Sequence, residues 1–224
     1  MDVTETLDRL SGAGLLEEEG PDQVLRITDE FARGLDAERA RFEDVALSEY
    51  IESIDLDPQE AARFVGLSDP DGSFLGAVGA LAAHTDLDLE GLLSAAVVLS
   101  YVEDGMPTAD GSPSRFLPVD GARLRTLVSL LDRAFVYVWR DDCEPCRLMR
   151  NDIDGVFETH PDDVTLISVY GPDCAALLHR EFDVPGAPAL LSVVGGEVDA
   201  RMYGPQYRSV IEREFETLRK ATPR

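Results

Sequence analysis

Apolar residues recur at helical spacing through most of the first hundred positions, then give way to short strand-like runs. Thr4 to Leu10 predicts a short helix, ended by Gly12-Ala13-Gly14. Leu15 to Glu19 and Val24 to Thr28, joined through Gly20-Pro21-Asp22, predict a β-hairpin over 15–28. Asp29 is placed to cap a long helix with Phe31, Leu35, Phe42, Val45 and Ala46 on one face, extending toward Ile54. Pro58 to Val65 reads as another short helix. Ser73 to His84 and Leu89 to Val102 are apolar enough to be the buried helices of a bundle, and Gly76, Gly79, Ala80 and Ala83 would let neighbours approach closely. Residues 1–103 therefore read as a mostly α-helical domain.

The periodicity stops at Glu103. Gly105, Pro107, Gly111, Pro113 and Pro118 punctuate small polar residues, which predicts a linker over 104–120 and a second domain over 121–224. There the pattern alternates: a helix from Ala122 to Leu131, a strand from Phe135 to Trp139, a helix to about Phe157 and a strand from Val164 to Val169. A short helix from Asp173 to Phe182 follows. Ala189 to Val194 and Val198 to Tyr203 flank Gly195-Gly196 as a hairpin, and Tyr207 to Leu218 closes with a helix. The order α-β-α-β-α-β-β-α predicts a small α/β domain with a mixed sheet flanked by helices.

Charge changes the picture of the surface. The net charge is −24, and of 20 basic residues only Lys220 is lysine. Residues 1–117 carry 26 acidic and 7 basic residues, net −19; residues 118–224 carry 18 and 13, net −5. A carboxylate-rich, lysine-poor surface is similar to the proteins of salt-in halophilic archaea, where the Debye length falls to about 3 Å and self-repulsion is screened. The acidity reads as solvent adaptation rather than as a partner-binding signal. It argues against DNA: the helix and hairpin up to Thr28 resemble part of a winged helix-turn-helix, but the basic footprint a phosphate surface needs is missing. Residues 1–30 show neither a basic n-region nor an apolar h-region, and no apolar run reaches about 18 residues, so a cytoplasmic protein with no membrane partner is expected.

Candidate chemistry centres on Cys143-Glu144-Pro145-Cys146, which follows the strand Phe135 to Trp139 and opens a helix. Two cysteines at this spacing can switch between dithiol and disulfide. The first would sit on the last loop turn with its sulfur exposed; the second would lie in the first helical turn, where free N–H groups and the helix dipole favour a thiolate. The same spacing could hold half a zinc site, with Cys174 and His179 as further ligand types. No second CxxC or CxxH accompanies it, and no metal is assigned. Cys174 alone reads as a semi-buried small residue or a regulatory thiol. No GxGxxG, Walker loop or HExxH is present, and no cofactor is expected.

Several further residues surround the motif. Val138-Trp139 stands before Cys143-x-Pro145-Cys146, Phe182 to Ala189 contains Val184-Pro185-Gly186-Ala187-Pro188, Gly195-Gly196 forms a turn, and Gly204 follows the last strand. Together they resemble the thioredoxin family over about Gly121 to Leu218. The resemblance implies a thioredoxin-like fold, Cys143 as attacking thiolate, Cys146 as resolving thiol and Pro145 as the residue shaping the helix start. It also implies that Pro188 is cis, so that backbone around Ala187 is free to pair with substrate, and that Trp139 packs beneath the motif. The expected activity is thiol–disulfide exchange with protein disulfides, recycled by a cellular reductase or low-molecular-weight thiol; the N-terminal helices would select partners or form a homodimer.

The chain also departs from that family. Asp142 replaces a tryptophan, Tyr137 a buried aspartate and Glu144 a glycine, and Asp141, Asp142 and Glu144 place negative charge near Cys143, opposed by Arg140 and Arg147. These departures motivate two alternatives: a binding or scaffold protein with little turnover, and a redox-sensing regulator acting through the N-terminal domain.

Overall fold

The computed structural model describes residues 3–20, 23–54, 56–65, 67 and 71–222. It separates into two compact units, divided between Met106 and Pro107.

The first unit comprises α1 (Val3–Gly12), β1 (Leu16–Glu19), β2 (Val24–Ile27), α2 (Asp29–Asp44), α3 (Leu47–Glu52), α4 (Pro58–Val65), α5 (Gly72–His84) and α6 (Leu89–Asp104). β1 and β2 pair antiparallel with Leu16 opposite Ile27; Pro21 and Asp22 of the expected turn lie outside the described residues. Two details differ from the pattern-based expectation. Thr28, not Asp29, caps α2, its hydroxyl accepting from the Phe31 N–H at 3.4 Å. The helix also stops at Asp44, because Val45 and Ala46 take extended backbone, so the apolar face is split between α2 and α3.

α5 and α6 are buried on all sides, from Phe74 to Leu81 and from Gly91 to Ser100, as helices apolar all round must be. Small residues set the approach: a Cβ on Gly79 would lie 2.1 Å from the Tyr50 hydroxyl, and one on Gly76 would lie 2.9 Å from Arg39 Cα. Arg39 in turn makes two hydrogen bonds to the Glu103 carboxylate, at 2.8 and 2.7 Å, tying α2 to the end of α6.

The second unit contains β3 (Leu117–Val119), α7 (Gly121–Leu130), β4 (Arg133–Trp139), α8 (Glu144–Val156), β5 (Thr165–Tyr170), α9 (Ala175–Arg180), β6 (Ala189–Val194), β7 (Glu197–Tyr203) and α10 (Arg208–Lys220), with a 3-10 turn at Gly171–Cys174. Its five-stranded sheet runs β3-β5-β4-β6-β7. β3 and β4 lie parallel to β5, whereas β6 runs antiparallel to β4 and to β7. Alternation along β4 sends Phe135, Tyr137 and Trp139 to one face, where Met149 and Ile153 of α8 and Ile211, Phe215 and Leu218 of α10 cover them. Phe157 and Phe215 meet edge to face, 4.8 Å between centroids, at the base of this layer.

The stretch 104–120, expected to be a linker, is instead partly built into the second unit. Phe116, Leu117 and Val119 are buried, and Leu117–Val119 pairs with Ile167–Val169 as an edge strand, which adds a β-strand ahead of the expected order. Pro118 is compatible with that position, since an edge strand needs ladder bonds on one side only. Ahead of it, residues 110–116 form a strap along α8. Arg150 donates to the Asp110 carbonyl at 2.7 Å, and Asp154 Oδ1 accepts from the N–H and hydroxyl of Ser114 at 2.7 and 2.9 Å. Arg150 and Asp154 are one helical turn apart, so a single face of α8 holds the strap.

Candidate active site

Cys143 ends the loop that leaves β4 and serves as the N-cap of α8; Glu144, Pro145 and Cys146 make up the first turn. Proline suits this place, because its missing N–H would have no partner in a first turn. The Cys143 sulfur accepts from the Cys146 N–H at 3.2 Å, and the two sulfurs form a disulfide. Cys143 is 5% exposed and Cys146 4%, so the expected asymmetry between an exposed and a buried cysteine is absent from this disulfide form. The capping geometry explains it: the side chain of Cys143 folds back over the helix start instead of pointing outward.

Trp139, 2% exposed, shares a buried cluster with both cysteines, its ring centroid 4.9 Å from that of Tyr170. Gly111 of the strap lies so close that a Cβ there would be 2.1 Å from the indole. The Trp139 Nε1–H is buried without a hydrogen-bond partner among the described residues. Tyr137, fully buried, donates its hydroxyl to the Cys146 carbonyl at 2.8 Å, and burial pushes its ionisation well above the usual phenol range. A neutral donor thus stands beneath the motif where a buried carboxylate could have taken a proton.

The sheet register brings the remaining predicted residues to the same end. Val138 pairs with Ala189, which sets the Ala187-Pro188 segment beside the strand end that carries Trp139. The Ala187–Pro188 bond is cis, and Ala187 packs against the buried cluster that contains both cysteines.

A cleft of about 570 Å³ opens at the disulfide, lined among others by Trp139, Cys143 and Cys146 and by Asp110 and Gly111 of the strap. This is within the size range of small-ligand sites. Charged groups rim it. Glu144 is paired with Arg147, and Asp141 accepts from the Tyr170 hydroxyl at 2.7 Å, a bond that raises the ionisation of that phenol. Two of the three carboxylates expected to burden Cys143 are thereby engaged. Beyond Arg140, a hollow of about 190 Å³ is lined by Val138, Pro172, Leu178, Val184 and Ala187.

Cys174 is a free, buried thiol in the 3-10 turn, packed where a Cβ on Gly121 would come within 2.4 Å of it. Burial first, then Asp173 and Asp120, push its ionisation up to about 11. Among the described residues, no three His, Cys, Asp or Glu side chains converge as a metal-ligand set. No helix there is long and apolar enough to cross a membrane.

No family model matches the chain, and no curated protein does. Among solved structures it is similar to a single-site mutant of thioredoxin from Halobacterium salinarum NRC-1: 22% identity over 52% of this chain and 100% of that one, TM-score 0.42. It is also similar to mitochondrial thioredoxin 3 from Saccharomyces cerevisiae in its oxidized form, at 16% identity over 46% of this chain and 94% of that one, TM-score 0.40. A third similar chain was solved in work on the thiol-resolving mechanism of yeast mitochondrial 1-Cys peroxiredoxin, at 14% identity over 46% and 94%, TM-score 0.41. The fold itself is mixed α/β and thioredoxin-like in the second unit, with a helical first unit, and rests on the strand order and register described above.

Proposed function

We infer that the second unit is a thiol–disulfide oxidoreductase acting on protein disulfides. The observation that carries this reading is the Cys143–Cys146 pair at the N-terminus of α8, which lines a cleft and belongs to a buried cluster that Ala187 packs against. In the reduced protein Cys143 attacks a target disulfide, and Cys146 attacks the resulting mixed disulfide to release the reduced target. The α8 N-terminus stabilises the attacking thiolate. Pro145 shapes the first turn, Trp139 supports it from below, and the backbone of Ala187 next to Pro188 is the surface on which an extended substrate lies. A cellular thiol or reductase returns the pair to the dithiol.

The test is reduction of a model protein disulfide in high salt by wild type, Cys143→Ser and Cys146→Ser. Both variants are expected to fall to the uncatalysed rate, and Cys146→Ser alone to accumulate a mixed disulfide with the target. Wild-type activity no higher than that of the variants would remove the enzyme reading.

A further inference from the structure

The charges around the cleft are not all accounted for by the protein itself. Glu144 and Arg147 satisfy each other, and Asp141 is held by Tyr170. Arg140 and Asp142, on either side of Asp141 in the loop before Cys143, are exposed, line the cleft and have no ion pair or hydrogen bond among the described residues. Arg150 gives its N–H to a neutral carbonyl, that of Asp110, whose carboxylate also has no partner among the described residues. The cysteine pair thus shares one cleft of small-molecule size with unpaired charge of both signs.

We propose that this cleft binds low-molecular-weight disulfides of amino-acid type, with Arg140 taking the α-carboxylate and Asp142, assisted by Asp110, the α-ammonium. The inference rests on the redox reading above and adds a second substrate class to it. One thiolate of the dithiol attacks the ligand disulfide, and the S–S bond breaks to release one aminothiol. The second thiol then attacks the enzyme sulfur of the mixed disulfide and releases the other aminothiol. The enzyme loses two electrons and two thiol protons, and both products leave as thiols, so the exchange balances with no further oxidant.

The experiment follows oxidation of the reduced full-length protein through fluorescence of Trp139, the single tryptophan. Four disulfides are compared: cystine with both charges, 3,3′-dithiodipropionate with carboxylates only, cystamine with ammonium groups only, and neutral 2-hydroxyethyl disulfide. Any change in the intrinsic reactivity of Cys143 shows with the neutral disulfide and divides out. Relative to it, Arg140→Gln is expected to slow cystine and dithiodipropionate by up to about fivefold, the upper end for an exposed ion pair. The double substitution Asp110→Asn with Asp142→Asn is expected to slow cystine and cystamine by a similar factor. Equal effects of each substitution on all four disulfides would overturn the binding proposal and leave the redox reading standing. A reduced protein that none of the four oxidises would overturn both.

Discussion

Tyr137 is the residue that most separates this site from a dithiol served by a buried acid. Its hydroxyl donates to the Cys146 carbonyl, and its ionisation is raised by burial, so it stays a neutral donor across the range in which thiols titrate. Tyr137→Phe should therefore cost about 1 kcal/mol of stability, because a buried carbonyl loses its partner, while the pH profile of disulfide exchange keeps its midpoint. Urea unfolding and a pH–rate series check the two halves separately; a moved midpoint would mean that the phenol shares the thiol proton. Cys174 supplies a second test. Its ionisation is raised from 9.0 to about 11, so at pH 8 its thiolate fraction should be about a hundredfold below that of an unfolded thiol. Alkylation at pH 8 is expected to label Cys143 in the reduced native protein and to reach Cys174 only on unfolding. Between the unfolded and folded values the unfolded state binds fewer protons, so stability conferred by the buried neutral thiol is lost as pH rises from 9 toward 11. Cys174→Ser should flatten that loss in urea titrations.

At the scale of elements, the strap along α8 is the part of the site that the residue pattern hid. Gly111, Ser112 and Pro113 look like punctuation, and a three-residue strand containing Pro118 shows no period of two, so composition alone reads 104–120 as a linker. What decides otherwise is tertiary: Gly111 against Trp139, Ser114 on Asp154, and Leu117–Val119 on the edge of β5. The long strands β4 and β6, the helix carrying the two cysteines and the glycine turn were legible, because their apolar runs and Gly195-Gly196 are local signals. The burial of Cys143 was not, since it depends on the cap bond to the Cys146 N–H. Gly111→Ala tests the strap. The added methyl has no room beside the indole, so a shifted Trp139 emission and a loss of about 1–3 kcal/mol are expected. Gly12→Ala, where nothing lies within 4 Å of the added Cβ, is the control, and equal effects would show that the strap does not press on the tryptophan.

On the scale of the whole chain, charge is distributed unequally, and that predicts how the molecule responds to salt. Net −19 falls on residues 1–117 and net −5 on residues 118–224. Raising salt from 0.1 M to 1 M shortens the Debye length from about 10 Å to about 3 Å, which removes most of the repulsion between surface carboxylates more than a few ångströms apart. The gain should be larger for the more charged first unit, whose buried α5 and α6 otherwise have to hold together a strongly self-repelling surface. Two probes separate the units: far-UV circular dichroism is weighted toward the helix-rich first unit, whereas Trp139 reports the second. On dialysis from 2 M to 0.1 M salt, the helical signal is expected to fall first, with Trp139 fluorescence persisting to lower salt. Coincident loss of both signals would mean that the two units unfold as one cooperative body. A helical signal that strengthened at low salt would overturn the electrostatic argument, because repulsion among these carboxylates can only grow as screening is withdrawn.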